Sequence, residues 1–570
     1  MKSNYQKVNY AILSFLLPFL IVNIAASTLR KKSFENDSQL LWVYLSKENM
    51  TKGSQINYSE RTRSRLEKVG WQSNRTDFRV NKKAVRDIAL HVDTVRQTSR
   101  FLRAVSVEAD YNQYKKLLNL NIVKRIEPVA TYIQKVKDNS TDSRTKLAKA
   151  ESYAESYEQL TQISIPSLHD RNITGKGVRI ALIDAGFDKT HPAFDRIIHN
   201  NRLVAEHDFI FGDKNVTNEN QEDSVWNQDG HGTSVWSLIG GYQPGEFMGG
   251  AYNAEFVLAK TERIKYERRV EEDNFIAAVE WADSLGVDII SSSLGYRKFD
   301  NFEYLYSDLD GKTARTTKAI NWAHSRGIVC VISAGNEDDD IDTDGGLTSP
   351  ADAPGAISVG AVNSLGNLTE FSSHGPTADE SIKPEVCARG NYVFVAESNP
   401  SEEDLYGRGD GTSYAAPLIT AGCALLLEKF PGWGPDKLLQ EIKNYASNAD
   451  NPTDTTGWGI PNFHKTYYEN ADEFIPQKPV KDKQIVSFPN PVNKNTVLYF
   501  KQNELFADNK ARMIVTNILG QQVYSKNINS ELPKWNLKNS KGQRVANGIY
   551  FIRIKIKDKP DKFGKVTVVR

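Results

Sequence analysis

The chain has 570 residues, of which 39% are hydrophobic and 25% charged, and its formal net charge is +1. This length exceeds that of one ordinary core, so we expect two or more domains in a water-soluble globular protein. The balanced charge gives no reason to expect nucleic-acid binding, and three cysteines are too few for a disulfide scaffold.

Residues 1–27 have the pattern of an export signal peptide. Lys2 and Lys7 precede the apolar run YAILSFLLPFLIV, and small residues follow at 25–27. The run is short for a membrane span and Pro18 interrupts it, so a signal peptide is favoured over a retained anchor.

Residues 28–137 are predicted to form a small α+β domain. The segments LWVYLS, FLRAVSVEAD and IVKRIEPVATYI have strand composition, and the helical segment YNQYKKLLNL precedes the last of them. The stretch 138–155 is polar and has almost nothing to bury, so we expect an exposed linker where maturation cleavage takes place.

Residues 156–468 alternate apolar runs with amphipathic stretches. The runs are VRIALID, EFVLAKT, VDIISSSL, GIVCVISAG, AISVGAV and YVFVAE. Because they are apolar throughout, they predict strands covered on both faces. The stretches EEDNFIAAVEWADSLG and KAINWAHSRG predict helices between them. This alternation predicts an α/β domain with a doubly wound, mostly parallel sheet.

Residues 469–484 form a linker rich in proline and charge, and residues 485–570 predict a small antiparallel β-sandwich. In YFIRIKIK, isoleucines alternate with Arg and Lys, which predicts one buried and one solvated face. Asn547–Gly548 supplies a tight turn before this strand.

Four polar residues of the α/β domain lie at predicted strand ends or loop-to-helix junctions. They are Asp184 after VRIALI, His231 in DGHGTSV, Asn336 in SAGNE and Ser413 in GDGTSYAAPL. Each setting alone is typical of a turn or a helix cap. Together they favour a catalytic set, because a serine nucleophile needs a base and an acid that orients it.

These motifs resemble those of the subtilisin-like serine peptidases. LIDAGFD is similar to the family's Asp motif, DGHGTSV to its His motif, SAGNE to its oxyanion Asn motif and GTSYAAP to its Ser motif. The order Asp, His, Ser also agrees. One departure is Ala185, where the family usually has Thr.

The resemblance implies a serine endopeptidase that hydrolyses protein or peptide substrates. Asp184, His231 and Ser413 would form the triad, and Asn336 would donate a hydrogen bond to the oxyanion. Substrate-binding walls are implied at SSSLGY and SAG, with the residues Ser293, Leu294, Gly295, Ser333, Ala334 and Gly335. The alternative from another class is a catalytically inert surface-binding or adhesin-like protein on the same scaffold.

No cofactor is expected for this chemistry. The segment DIDTDG matches the first half of a calcium loop at Asp340, Asp342 and Asp344, but its twelfth position is Ala351 instead of Glu. We therefore favour an acidic solvated loop and keep a structural calcium ion as the alternative. No G-x-G-x-x-G follows the first strand, so a nucleotide site is not supported.

Both flanking domains resemble known modules. The layout of residues 28–137 resembles a subtilase propeptide, which implies an intramolecular inhibitor and a zymogen. The tail motifs FPNPV, NILGQQVY, NGIYFIRI and KVTVVR are similar to the C-terminal sorting domains of the Bacteroidota type IX secretion system. That likeness implies contact with the secretion machinery and a location outside a Gram-negative cell or on its outer membrane. A generic adhesive β-sandwich is the alternative for the tail.

Overall fold

The computed structural model describes residues 38–46, 54–129, 153–265, 268–299, 302–337, 345–398, 405–471, 485–488, 496–499, 511–528, 534–556 and 561–569. The predicted signal peptide, most of both predicted linkers and the calcium candidates at 340–344 lie outside these residues. No helix in the described part of the chain combines the length and apolarity needed to cross a membrane.

The chain divides into two compact units. One comprises Met1–Asn57 and Ser73–Thr131, and the other comprises Tyr58–Gln72 and Tyr132–Arg570. The second unit therefore contains a short segment that lies between two parts of the first unit in the sequence. Helix α1 (Glu60–Lys68) lies in this segment.

The first unit is a four-stranded antiparallel sheet with helices on one face. Its strands have the order β2-β3-β1-β4. Together with its helices they are β1 (Gln39–Leu45), α2 (Lys82–Ala89), β2 (Thr94–Ser99), β3 (Ala104–Ala109), α3 (Tyr111–Leu118) and β4 (Val123–Val129). Alternate residues of β1, including Leu41 and Val43, share a core with Ile88 of α2 and Leu117 of α3. This is the split β-α-β arrangement of an α+β domain.

The second unit is built on a seven-stranded sheet with the order β15-β14-β13-β10-β5-β9-β6. Its neighbouring strands pair in parallel. The strands up to residue 409 are β5 (Arg179–Asp184), β6 (Leu203–Asp208), β7 (Tyr242–Gln243), β8 (Phe247–Met248), β9 (Glu255–Lys260), β10 (Ile289–Ser292), β11 (Lys298–Phe299), β12 (Phe302–Glu303), β13 (Val329–Ser333), β14 (Ala356–Val362), β15 (Val386–Arg389), β16 (Val393–Ala396) and β17 (Tyr406–Gly409).

Helices cover both faces of this sheet. Those that follow α1 in the second unit are α4 (Tyr157–Gln162), α5 (Pro166–His169), α6 (Asp195–His199), α7 (Gln221–Val225), α8 (Gly230–Gly240), α9 (Val270–Ser284), α10 (Arg315–Ser325), α11 (Thr412–Lys429), α12 (Pro435–Asn444) and α13 (Phe463–Asn470). Val329 and Val331 of β13 share a core with α11. Cys330, between them, has its Sγ 4.0 Å from the Ile320 carbonyl of α10. The doubly wound α/β class is confirmed.

The prediction for YVFVAE was wrong in one respect. Its residues form β16, which pairs antiparallel with β17 outside the parallel sheet. The parallel sheet instead includes β6 and β15, which were not predicted. Their sequences, LVAEHD and VCAR, contain charged residues at the sheet's two edges, so neither has the continuous apolar run that identified the central strands.

The C-terminal region contains two antiparallel sheets with the orders β18-β19-β22 and β21-β20-β23-β24. The strands are β18 (Val486–Phe488), β19 (Thr496–Tyr499), β20 (Ala511–Asn517), β21 (Gln522–Ile528), β22 (Lys534–Trp535), β23 (Gly548–Ile556) and β24 (Lys562–Val568). Trp535 of the first sheet packs edge-on against Tyr550 of the second, with ring centroids 5.3 Å apart. Ile552 and Ile554 are buried whereas Arg553 and Lys555 are exposed, as the alternation in the sequence predicts.

Candidate active site

Asp184 and His231 meet at the carboxyl end of β5, an interior strand of the sheet. Asp184 is the last residue of β5, and His231 is the second residue of α8. The imidazole Nδ1 lies 2.8 Å from the Asp184 Oδ1. This close approach requires glycine at position 232, because a Cβ there would lie only 2.1 Å from the Gly186 carbonyl oxygen. The sequence GHG thus allows α8 to begin against the strand end.

The carboxylate of Asp184 sets the electrostatics of His231. Burial lowers the pKa of the imidazole, but the charge of Asp184 and its hydrogen bond outweigh burial, so that the pKa is raised above its ordinary value. Asp184 Oδ1 also accepts a hydrogen bond from the Ala185 N–H at 2.7 Å. Oδ2 is buried without a hydrogen-bond partner in the described structure, and Ala185 has no hydroxyl to offer it.

Ser413 lies at the beginning of α11, where backbone N–H groups are free of helical partners. Gly411 caps this helix with φ +148°, a conformation that favours glycine. Within the described structure, the Ser413 N–H donates to no acceptor. A Cβ at position 411 would lie 3.7 Å from this nitrogen and 3.4 Å from the Asn336 Nδ2. The Ser413 N–H and the Asn336 Nδ2, both hydrogen-bond donors, therefore both lie close to Gly411.

Thr412 holds Asn336 in this orientation. Its N–H and its hydroxyl both donate to the Asn336 Oδ1, at 2.8 and 2.9 Å. Because Oδ1 is engaged, the other end of the carboxamide, Nδ2, is left to donate. Thr412 was not predicted as a functional residue, although its place between the capping glycine and the serine was a usable signal.

Ser293 and Ser413 are joined by two reciprocal hydrogen bonds. The Ser293 hydroxyl donates to the Ser413 carbonyl at 2.8 Å, and the Ser413 hydroxyl donates to the Ser293 carbonyl at 3.3 Å. Pro417, four residues after Ser413, has no N–H for that carbonyl, so Ser293 supplies the missing donor. No hydrogen bond joins the described side chains of Ser413 and His231, and such bonds are often loose in substrate-free sites.

Replacing Ser293 with alanine is therefore expected to loosen the position of Ser413. If Ser413 is the nucleophile, a misplacement of about 1 Å can cost about 100-fold in rate, so we expect kcat to fall by roughly 5- to 100-fold with a smaller change in KM. Steady-state kinetics on a chromogenic peptide measure both constants. Ser292→Ala is the matched control, because the buried Ser292 hydroxyl has no hydrogen-bond partner in the described structure. Equal kcat and KM values for Ser293→Ala and Ser292→Ala would contradict a role of Ser293 in positioning Ser413.

The six predicted substrate-binding residues differ in accessibility. The peptide groups of Leu294 and Gly295 have no hydrogen-bond partner in the part of the chain that the structure describes, and Gly295 is exposed. Ser333 and Ala334 are buried, and Ala334 bonds through its N–H to the Val359 carbonyl at 3.0 Å. Gly335 is half-buried. The segment 294–295 is thus free to pair with an extended chain, whereas Ser333 and Ala334 face the protein interior.

An acidic cluster lies between β6 and α8. Asp208, Asp213 and Glu219 are the described carboxylates close enough together to hold a metal ion. The buried Lys260 ammonium lies 3.0 Å from Asp208 Oδ2 and 3.5 Å from Glu219 Oε1, and it donates to the Thr217 carbonyl at 3.0 Å. This internal ammonium group therefore offsets part of the negative charge of the cluster.

Three family models match different parts of the chain. The model of the subtilase family matches residues 175–459, half of the 570 residues. The model of the Bacteroidota peptidase S8 propeptide domain matches residues 40–146. The model of the secretion system C-terminal sorting domain matches residues 486–569.

Two curated relatives agree with the subtilase match. Subtilisin from Bacillus pumilus is 32% identical over 297 residues, covering 50% of this chain and 90% of the relative. Subtilisin E from Bacillus subtilis (strain 168) is 30% identical over 326 residues, covering 55% of this chain and 74% of the relative. The solved MycP3 protease from the type VII (ESX-3) secretion system is 21% identical, with a TM-score of 0.43, and covers 56% of this chain and 89% of that chain.

Proposed function

This chain belongs to the subtilase family, and from that premise we propose that it is an endopeptidase whose triad is Ser413, His231 and Asp184. It is a subtilisin-like serine peptidase with a propeptide and a type IX sorting domain. The observation that carries the triad is the 2.8 Å contact between His231 Nδ1 and Asp184 Oδ1. That contact leaves the opposite ring nitrogen, Nε2, to act as the base.

In the proposed reaction, His231 Nε2 removes the proton from Ser413 Oγ as the oxygen attacks the substrate carbonyl. Asp184 holds the imidazole and stabilises its cation. The oxyanion accepts hydrogen bonds from the Ser413 N–H and the Asn336 Nδ2, which have no other acceptor in the described structure. His231 then protonates the leaving amine, and water hydrolyses the acyl-enzyme by the reverse sequence.

The proposed substrate is an extended protein or peptide chain. Its backbone would pair with the open peptide groups of Leu294 and Gly295, and main-chain pairing of this kind accepts many sequences. Gly335 would contribute to the facing wall. The described residues supply the base for each proton transfer, the carboxylate that orients it and the donors for the oxyanion. We therefore propose that catalysis requires no cofactor.

The sorting domain places this peptidase on the type IX route to the cell surface or the extracellular space. We propose that the propeptide inhibits the enzyme until the chain is cut within the predicted linker, residues 138–155. We expect the cut on the N-terminal side of Tyr153, whose hydroxyl bonds to His169 Nδ1 at 3.0 Å, and of Leu160, which lies in the core of the peptidase domain. N-terminal sequencing of the mature enzyme tests the boundary.

The experiment that tests the proposed function is labelling with a fluorophosphonate, which reacts with activated serines. We expect covalent modification at Ser413 in the mature enzyme and none in the enzyme denatured beforehand. Peptide mass spectrometry identifies the modified residue. A mature, folded protein that takes up no label and cleaves no unfolded protein substrate would instead be the inert binding protein, an alternative that the comparisons do not support.

A further inference from the structure

One segment of the propeptide match folds with the peptidase. The propeptide model spans residues 40–146, yet Tyr58–Gln72 belong to the same compact unit as the peptidase domain. Ser59 caps α1 by accepting the Thr62 N–H at 3.1 Å. The helix buries Thr62, Arg65 and Leu66 and exposes Arg63 and Lys68. Its buried face therefore has a specific partner in the peptidase unit.

The partner surface is formed by the ends of two helices. Gly286 follows the last turn of α9, and Gly327 follows that of α10. A Cβ at position 286 would lie 3.0 Å from Thr62 Oγ1, and one at position 327 would lie 3.2 Å from Arg65 Cγ. Helix α1 thus packs directly on both C-terminal turns, which are the negative ends of the two helix dipoles.

Two arginines of α1 donate hydrogen bonds to backbone carbonyls of the peptidase unit, most of them just after these two helices. Arg61 donates to the Gly286 and Gly177 carbonyls, both at 2.8 Å, and pairs with Asp288. Arg65 donates to the Arg326 carbonyl at 3.1 Å and to the Val287 carbonyl. Guanidinium groups suit this task because they offer several donors in a fixed plane.

Arg65 also forms a buried ion pair with Asp283 of α9. The Arg65 side chain is 5% exposed and that of Asp283 is 0% exposed. Asp283 is shared with Arg326 of the peptidase, whose Nε lies 2.9 Å from the same oxygen. The rings of Tyr58 and Trp71, at the two ends of the segment, lie 5.1 and 4.7 Å from the Arg326 guanidinium.

We propose that residues 58–72 are a docking clamp that holds the propeptide on the peptidase domain at the C-terminal ends of α9 and α10. Arg65 is its anchor. Because none of these contacts involves the linker 138–155, cutting the chain there leaves the clamp in place. The proposal rests on the proposed function only for the consequence that release follows cleavage as a separate step.

The test uses the full chain carrying Ser413→Ala, with a recognition sequence for a site-specific protease replacing residues 138–144. After cleavage, the dissociation rate of the N-terminal fragment is measured by size-exclusion chromatography over time. We expect the fragment to stay bound in this parent and in Arg63→Ala, and to dissociate about 30-fold faster or more in Arg65→Ala. Arg63 is the matched control because it is exposed on the same helix.

Thermal unfolding before cleavage shows whether each variant is folded. If Arg65→Ala does not fold, Arg61→Ala and Arg65→Lys replace it, and faster dissociation in either supports the clamp. A fragment that leaves the parent immediately, or that dissociates at one rate in all folded variants, would overturn the proposal. Since every protein tested lacks the serine hydroxyl, the outcome is independent of whether the enzyme is catalytically active.

Discussion

Ser413→Ala is expected to abolish peptide hydrolysis, with kcat lowered about 10⁶-fold, as for the equivalent loss in subtilisin, a member of the same family. The reason is that the hydroxyl is the proposed nucleophile, and the methyl group of alanine cannot attack a carbonyl carbon. Hydrolysis of a peptide substrate by purified protein, followed over hours, measures the residual rate.

The same variant should fold normally. Its lost hydroxyl makes one hydrogen bond, to the Ser293 carbonyl at 3.3 Å, so the free energy of unfolding should change by no more than about 1 kcal/mol. Ser381→Ala, at an exposed position, is the control for the substitution itself. We expect Ser413→Ala also to accumulate as uncut zymogen if maturation is autocatalytic. Hydrolysis at the unmodified rate would remove Ser413 from the triad.

Asp184→Asn is expected to lower kcat/KM about 10⁴-fold near neutral pH, because an amide no longer fixes the imidazole tautomer or stabilises its cation. It should also change the pH profile. In the unmodified enzyme the pKa of His231 is raised by Asp184, so activity is lost as the pH falls through a value above 6.5, the ordinary pKa of histidine. Without that carboxylate only the lowering by burial remains, and the acid limb should move to lower pH.

The pH dependence of kcat/KM, measured from pH 5 to 9, tests this prediction. Asp195→Asn is the control, since Asp195 is an exposed carboxylate at the start of α6. A reduced rate with an unchanged acid limb would mean that Asp184 acts on activity without setting the pKa of His231. An acid limb that moves upward would contradict the assignment of His231 as the base.

The central strands and the motif positions were predictable because each depends on local sequence. Continuous apolar runs identified β5, β9, β10, β13 and β14. The carboxyl ends of parallel strands then pointed to one edge of the sheet, where the structure brings Asp184 and His231 together and places Asn336 beside the start of α11. The catalytic roles of these residues remain predictions.

Other features depend on contacts between distant residues. Nothing in the segment SSSLGY indicates that the Ser293 hydroxyl serves the Ser413 carbonyl, because the need arises from Pro417, more than a hundred positions later. Likewise the polar segment ERTRSRLEK has no apolar stripe to announce a docked helix. Of its three buried residues only Leu66 is apolar, and burial of Arg65 and Thr62 becomes favourable only against the polar groups at the ends of α9 and α10.

The hydrogen bonds from Thr412 to Asn336 have a consequence for motion. Since Thr412, next to Ser413, bonds to the Asn336 carboxamide through both its N–H and its hydroxyl, we expect the proposed nucleophile and the proposed oxyanion donor to move together. A thermal displacement of the start of α11 should move the Ser413 hydroxyl and the Asn336 carboxamide in the same direction. The distance between the proposed nucleophile and the proposed oxyanion donor should then change little when the surrounding loops move.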